Sequence, residues 1–192
     1  MLDLEPPTAA PRFLVDLGGM CAGAEWVASP NCDPRPDGAE ISLLVIHSIS
    51  LPPGQFGGSE VTSLFLNQLN PAAHPYFATI AALRVSAHFL IGRDGALTQY
   101  VPCELRAWHA GVSSWRGRER CNDFSIGIEL EGTDETPFEA AQYDTLLDLT
   151  RALFARYGLL ELAGHSDIAP GRKTDPGPHF DWARYRARVG AI

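Results

Sequence analysis

Residues 41–49, ISLLVIHSI, are an almost continuously apolar run rich in Ile, Leu and Val, and no other stretch limits the fold as much. A short run of this kind has no polar face to turn toward water, so it reads as a strand covered on both sides. A sheet with a layer on each face follows, and with it an α/β architecture. The run ends at His47-Ser48, which puts polar, chemically useful groups at the end of a buried strand.

The rest of the chain supplies the cover. Residues 51–58, LPPGQFGG, form a loop, because paired prolines and glycines deny them a helix or a ladder. A short helix is expected around residues 59–69. Two strand-like runs, 85–92 and 97–101, are joined by Arg93-Asp94-Gly95, a pairing that suits a tight hairpin turn. In FSIGIEL, residues 124–130, apolar side chains alternate with Ser125, Gly127 and Glu129, so Glu129 shares a strand face with small residues, opposite the packed one. The clearest helix has Thr136 as N-cap, Pro137 at its first position and Glu139 completing a capping box. Its stripe of Tyr143, Leu146, Leu147, Thr150, Leu153 and Tyr157 has helical spacing, and Gly158 is the terminator. Residues 180–189 read as a closing helix. The expectation is a single α/β domain with a central mixed β-sheet flanked by helices. Residues 1–40 mix Pro, Gly and Asp without period and read as an irregular arm of that domain, leading into an ordered body over 41–192.

At 192 residues and 45% hydrophobic content, the chain can bury one sizeable core. A net charge of -8, from 23 acidic and 15 basic side chains, repels polyphosphate, so nucleic acid is not an expected partner. Residues 1–13 carry Asp3, Glu5 and three prolines, with neither the basic start nor the apolar stretch of an export signal. Charged residues, Gly or Pro interrupt every candidate membrane segment. A soluble, cytoplasmic protein is therefore expected. Cys21, Cys32, Cys103 and Cys121 form no CxxC pair and read as free thiols, packed as small hydrophobes.

The segment 164–182, GHSDIAPGRKTDPGPHFDW, sets His, Lys and Asp among turn-forming Gly and Pro. It reads as a rigid loop outside regular structure, a good mount for reactive groups. Lys173 and Asp175 are two apart, so an extended backbone projects both to one side. Lys173 is also the only lysine among the 15 basic side chains, which points to a site that needs a compact point charge, as where an oxyanion develops. A catalytic zinc site needs about three N or O ligands and one open position. His47, His165 and Asp175 could supply them, although spacing by itself does not exclude His74, His88, His109 or His179.

The segments VIHSISLPPGQFGG, NPAAHPYFATIAALRVSAHFLIGRDG, RAWHAGVSSWRGRERCNDFSIGIELEGTD and RKTDPGPHFDWARYR closely resemble the anhydro-N-acetylmuramyl-L-alanine amidases of bacterial wall recycling, the AmpD type. The resemblance runs from about residue 41 to about 189. It implies the fold shared by zinc amidases and peptidoglycan recognition proteins, and a monomer that binds one zinc ion. It makes His47, His165 and Asp175 the metal ligands, Glu129 and Lys173 the catalytic pair, and Ser48, Arg84, Arg120 and Ala169 contacts to an anhydro-muropeptide. The implied reaction is zinc-dependent hydrolysis of the amide between the lactyl group of the muramic acid and L-alanine, with an indirect effect on β-lactamase induction. Ser48 departs from the Asn expected after the first zinc histidine, and a short hydroxyl offers fewer contacts to sugar than an amide. Arg116 and Arg118 could add positive charge near the cleft, and Trp108 and Trp115 could stack on sugar. The rival reading is a non-catalytic recognition module, whose mark would be a lost ligand, and all five residues are present. An exported lysin, a third reading, predicts a signal or wall-binding repeats, and neither is visible.

Overall fold

The structure, a computed structural model, describes residues 10–158 and 160–190. Residues 1–9 of the expected arm lie outside the described residues. From residue 10 to 40 the chain is less irregular than its composition predicts. β1 (Leu14–Val15) pairs antiparallel with β2 (Cys21–Ala22), β3 (Glu25–Trp26) joins the main sheet, and β4 (Cys32–Pro34) pairs with a strand far along the chain. These strands are too short to show a period, and tertiary partners set them. The buried Gln99 amide accepts from Cys21 N–H at 2.8 Å and donates to Gly19 O at 2.8 Å. Arg35 donates to the carbonyls of Cys103, Asn122, Asp123 and Ser125 at 2.8–3.1 Å.

The apolar run forms β5 (Leu43–Ile49), with Leu43 to His47 all buried. After the Pro/Gly loop come α1 (Glu60–Phe65) and α2 (Pro75–Ile80). Sequence period missed α2 because it has fewer than two turns, yet its start is well specified: His74 Nδ1 accepts Tyr76 N–H at 3.1 Å and Pro75 follows it. β6 (Phe89–Ile91) and β7 (Leu97–Gln99) form the expected hairpin, with Gly95 at φ 81°, a conformation open to glycine at little cost. β8 (Leu105–Ala107) pairs with β4, β9 (Ser114–Trp115) pairs with β10 (Arg118–Glu119), and β11 (Ser125–Glu131) follows.

The long helix α3 (Ala140–Tyr157) starts three residues later than the Thr136 box predicts. Gln142, at its third position, accepts Glu139 N–H at 3.0 Å and donates to Ile91 O and Glu131 O at 3.3 and 3.0 Å. A buried amide that satisfies two strand carbonyls outweighs a solvent-side Thr, so Glu139 becomes the cap. Thr136 instead accepts from the Thr133 hydroxyl at 3.1 Å. The predicted stripe is correct: Tyr143, Leu146, Leu147, Thr150 and Leu153 are buried and Gly158 ends the helix. Each of those leucines contributes roughly 1.5–3 kcal/mol by leaving water. β12 (Glu161–Gly164), the one-turn helix α4 (His165–Ile168) and α5 (Trp182–Val189) complete the chain. α4 corrects the expectation that residues 164–182 hold no regular structure. Its cue is Asp167, which accepts Gly164 N–H at 2.7 Å.

The main sheet has six strands in the order β12-β5-β11-β6-β7-β3. β12, β5, β11 and β6 are parallel, and only the β6–β7 pairing is antiparallel. Alternation divides the two faces. Leu44, Ile46, Ile126, Ile128 and Leu130 pack with α3 and α5, while Leu43 and Val45 pack on the other face with Ala110, Phe124 and Ile168. His47, two residues beyond Val45, shares this second face. All four cysteines are free thiols, three of them buried. No helix among the described residues is long and apolar enough to cross a membrane.

Candidate metal centre

Three neighbouring parallel strands deliver their carboxyl ends to one place. His47 is near the end of β5, Glu129 is near the end of β11, and His165 follows β12 directly. Open α/β sheets bind ligands outside the carboxyl ends of their strands. Asp175 arrives from the Pro/Gly loop, anchored where its carbonyl accepts Ser166 N–H at 2.9 Å.

The three donors form a near-equilateral triangle. His47 Nδ1 lies 2.9 Å from His165 Nδ1 and 3.2 Å from Asp175 Oδ2, and His165 Nδ1 lies 3.1 Å from the same oxygen. Tetrahedral zinc ligands at about 2.0–2.1 Å stand roughly 3.3 Å apart, so the observed edges fit one small ion with a fourth position open. The charges fit as well. Burial, the largest influence on His47, pulls its pKa down to about 4, leaving the neutral imidazole a metal requires. His165 Nε2 faces Ala110 O at 3.1 Å. Only an N–H can face a carbonyl, so the Nδ1 of a neutral ring keeps its lone pair.

Glu129 is buried, and its Oε2 has no hydrogen-bond partner among the described residues. Burial first, and the Asp175 charge second, push its pKa well above the ordinary carboxyl value, against the opposing Lys173 ammonium. A carboxyl so placed can both accept and return a proton. Glu129, His165, Lys173, Asp175 and Ser48 line a cavity of about 560 Å³. Trp108 is in its wall, with its indole N–H on Asp33 at 3.1 Å.

Arg84, Arg120 and Ala169, also expected at the substrate, do not line this cavity. Arg84 is exposed, its guanidinium turned back on the carbonyls of Ala82 and Leu83 at 3.3 and 3.2 Å. Arg120 and Ala169 line a neighbouring depression of about 530 Å³, joined to the main cavity by Arg172, which lines both. Arg120 pairs with Asp123 at 3.1 Å, and Ala169 O receives the N–H groups of Arg172 and Lys173 at 3.1 Å each, so Ala169 shapes the turn that carries Lys173. Arg116 pairs with Glu161 at 2.6 Å and Arg118 stacks on Phe124; neither lines the main cavity. Trp115 donates to Glu161.

Sequence reasoning left His109 as one open ligand candidate, without this role, and missed Arg172. His109 Nδ1 is 2.9 Å from His47 Nε2. Arg172 donates to Ala110 O at 2.6 Å and Val112 O at 2.7 Å, holding the carbonyl that His165 faces. The available cue for His109 was the small-residue face of β11, which has to be filled by something large.

Residues 37–178 match the family described as N-acetylmuramoyl-L-alanine amidase. The chain is 61% identical over 179 residues to the 1,6-anhydro-N-acetylmuramyl-L-alanine amidase AmpD of Citrobacter freundii, covering 92% of this chain and 95% of that one. It is 60% identical over 173 residues to the protein of the same description from Escherichia coli K12, covering 89% and 94%. A crystal structure of a selenomethionine AmpD derivative shares the fold with a TM-score of 0.89 at 61% identity, covering 92% of this chain and 99% of that one. With a family match across most of its length and relatives aligned nearly end to end, the chain belongs to the N-acetylmuramoyl-L-alanine amidase family.

Proposed function

We propose that this chain hydrolyses the amide bond between the lactyl group of an anhydro-N-acetylmuramic acid and the L-alanine of a muropeptide, using one zinc ion held by His47, His165 and Asp175. The observation that carries the reading is the donor triangle beside an unpartnered buried carboxyl, Glu129, inside a cavity. Zinc at that triangle supplies a Lewis acid that makes water nucleophilic near neutrality and polarises the carbonyl. Glu129 Oε2 takes the proton of the attacking water and returns it to the departing alanine nitrogen, with the raised pKa favouring the return. Lys173 stabilises the negative charge that develops on the carbonyl oxygen. Its positive charge works to lower the pKa of both Glu129 and His47.

The same reading gives Ser48, beside His47 in the cavity wall, a contact to the sugar. Arg84 and Arg120 are assigned to the carboxylates of the peptide, which they reach by turning away from their present partners, and Ala169 to the cavity rim. The enzyme acts as a cytoplasmic monomer on soluble muropeptides during wall recycling, and thereby on the signals that induce β-lactamase. Four free thiols suit a reducing compartment. The deciding experiment incubates the purified protein with an anhydro-muropeptide, with and without a chelator, and weighs the products. Release of free peptide only in the presence of metal is expected; intact substrate with a zinc-loaded protein would reject the reading.

A further inference from the structure

A histidine that binds metal through Nδ1 needs its proton on Nε2, and a second residue must hold it there. For His165 that residue is Ala110, through its carbonyl. Among the described residues His47 has no carbonyl or carboxylate at its Nε2; it has another imidazole. Resting on the metal-centre reading above, we infer that His109, anchored by Ser125, is the positioning residue that fixes His47 in the tautomer presenting Nδ1 to the metal.

The proton count leads there step by step. The Ser125 hydroxyl has one hydrogen and donates it to Cys121 O at 2.6 Å. Its oxygen can only accept from His109 Nε2, 3.2 Å away, so that nitrogen carries the ring proton. No carboxylate hydrogen-bonds to the His109 ring among the described residues, and a neutral ring then has a bare Nδ1. The partner of that lone pair is His47 Nε2 at 2.9 Å, which therefore supplies the hydrogen. His47 Nδ1 is left unprotonated, directed at His165 Nδ1 and Asp175 Oδ2.

Backbone geometry holds the relay in place. A Cβ on Gly127 would stand 2.4 Å from His109 Cγ and 2.6 Å from its Nδ1, so the ring lies flat on a strand position that only glycine leaves open. Asn122 Oδ1 accepts the N–H groups of His109 and Ala110 at 3.2 and 2.8 Å. One dipeptide thus orients both histidine ligands, His47 by the His109 side chain and His165 by the Ala110 carbonyl, and Ser125, Gly127 and Glu129 on one face of β11 serve the same centre.

The test uses the full chain as wild type, His109→Phe, His109→Gln and Ser125→Ala. Long-range 1H–15N correlation of the imidazoles reports the tautomer of His47 in the metal-free protein, and competition with a chromogenic chelator gives the zinc dissociation constant. Wild type is expected to carry the His47 proton on Nε2. His109→Phe fills the same space without an acceptor; it should mix the His47 tautomers and weaken zinc binding about 10–100-fold, while His165 keeps its Nε2 proton. His109→Gln, which brings back a carbonyl acceptor, should recover part of the loss. Ser125→Ala, which removes one oxygen, should give a smaller loss of the same sign. If His109→Phe leaves both tautomer and affinity unchanged, His109 only fills space and the inference is overturned. Should that variant not fold, unaltered His109 and His47 tautomers in Ser125→Ala overturn it equally. A wild type that takes up no zinc would reject the metal-centre reading, and the tautomer in the metal-free protein would still decide this one: a proton on His47 Nδ1 overturns it, and one on Nε2 supports it.

Discussion

Glu129 on β11 stands in direct parallel register with His47 on β5. Register partners on neighbouring parallel strands project to the same face, so the candidate proton carrier and the candidate metal ligand are placed by the hydrogen-bond ladder itself. Neither depends on a loop, and the next residues along both strands are still paired, Ser48 with Leu130. Replacing Glu129 with Gln keeps the shape and removes the titrating proton. Turnover should fall by about 10²–10⁴-fold with zinc content unchanged, because Glu129 is outside the donor triangle. Single-turnover assays with metal analysis on the same sample check this, and a variant with near-normal turnover would remove Glu129 from the chemistry.

Lys173, unlike Glu129, is exposed at the cavity wall on the Pro/Gly loop. Its proposed contribution exists only while charge develops on the carbonyl, so Lys173→Ala should lower kcat by roughly 10²-fold or more with little change in KM. Lys173→Arg should rescue poorly, since a planar fork does not replace a compact point charge. A rise confined to KM would instead assign Lys173 to ground-state binding.

Metal bound by the folded state alone adds stability by mass action, about 4 kcal/mol when free zinc is a thousand times its dissociation constant. A chelator should therefore lower the Tm of the wild type. Asp175→Ala, which removes one corner of the triangle, should lack zinc and show a Tm that the chelator does not move. Calorimetry with and without chelator checks both, and a chelator-insensitive wild type would count against a metal that stabilises the fold.

His88 provides a pH prediction. Its ring is buried, with Nδ1 accepting Gly127 N–H at 3.0 Å and Nε2 facing Leu105 O at 3.1 Å. Burial, followed by the charge of Arg35, pulls its pKa from 6.5 down to about 3. The unfolded chain therefore binds a proton between those values that the folded chain refuses. The stability it contributes is complete above pH 6.5 and is lost as the pH falls toward 3, at up to about 1.4 kcal/mol per pH unit. His47, held at about 4, acts in the same direction. Urea unfolding of metal-free protein from pH 7 to 4.5 should show this slope, and His88→Gln should reduce it by one histidine's share. An unchanged slope in the variant would mean His88 is already protonated in the native state.

Gly127→Ala tests the packing beneath the centre. The added methyl has no room beside the His109 ring, and overpacking of this kind costs about 1–3 kcal/mol. Urea midpoints give the destabilisation, and zinc affinity should fall along with it as His109 is pushed from His47. A neutral substitution would show that the ring can move away freely.

The sequence by itself determined what composition and period encode locally. It specified a strand buried on both faces at residues 41–49, a hairpin turning at Asp94-Gly95, the apolar stripe of α3, and the strand alternation that puts Glu129 beside Ser125 and Gly127. It also marked the Pro/Gly loop that carries Lys173 and Asp175. For the metal ligands, residue types and spacing left seven histidine and carboxylate candidates open, and only resemblance to a known family separated them. The remaining features depend on residues far apart in the chain. The start of α3 went to Glu139 because Gln142 is needed by the carbonyls of Ile91 and Glu131. The strands between residues 14 and 34 exist because distant groups meet them: Gln99 accepts Cys21 N–H, and Arg35, just after β4, ties the segment to the carbonyls of Cys103 and Ser125. His109 became the partner of His47 across 62 positions, on a bed left open by one glycine. Hydrogen-bond partners and packing of this kind carry no period along the chain, so they are settled only when the strands are laid side by side.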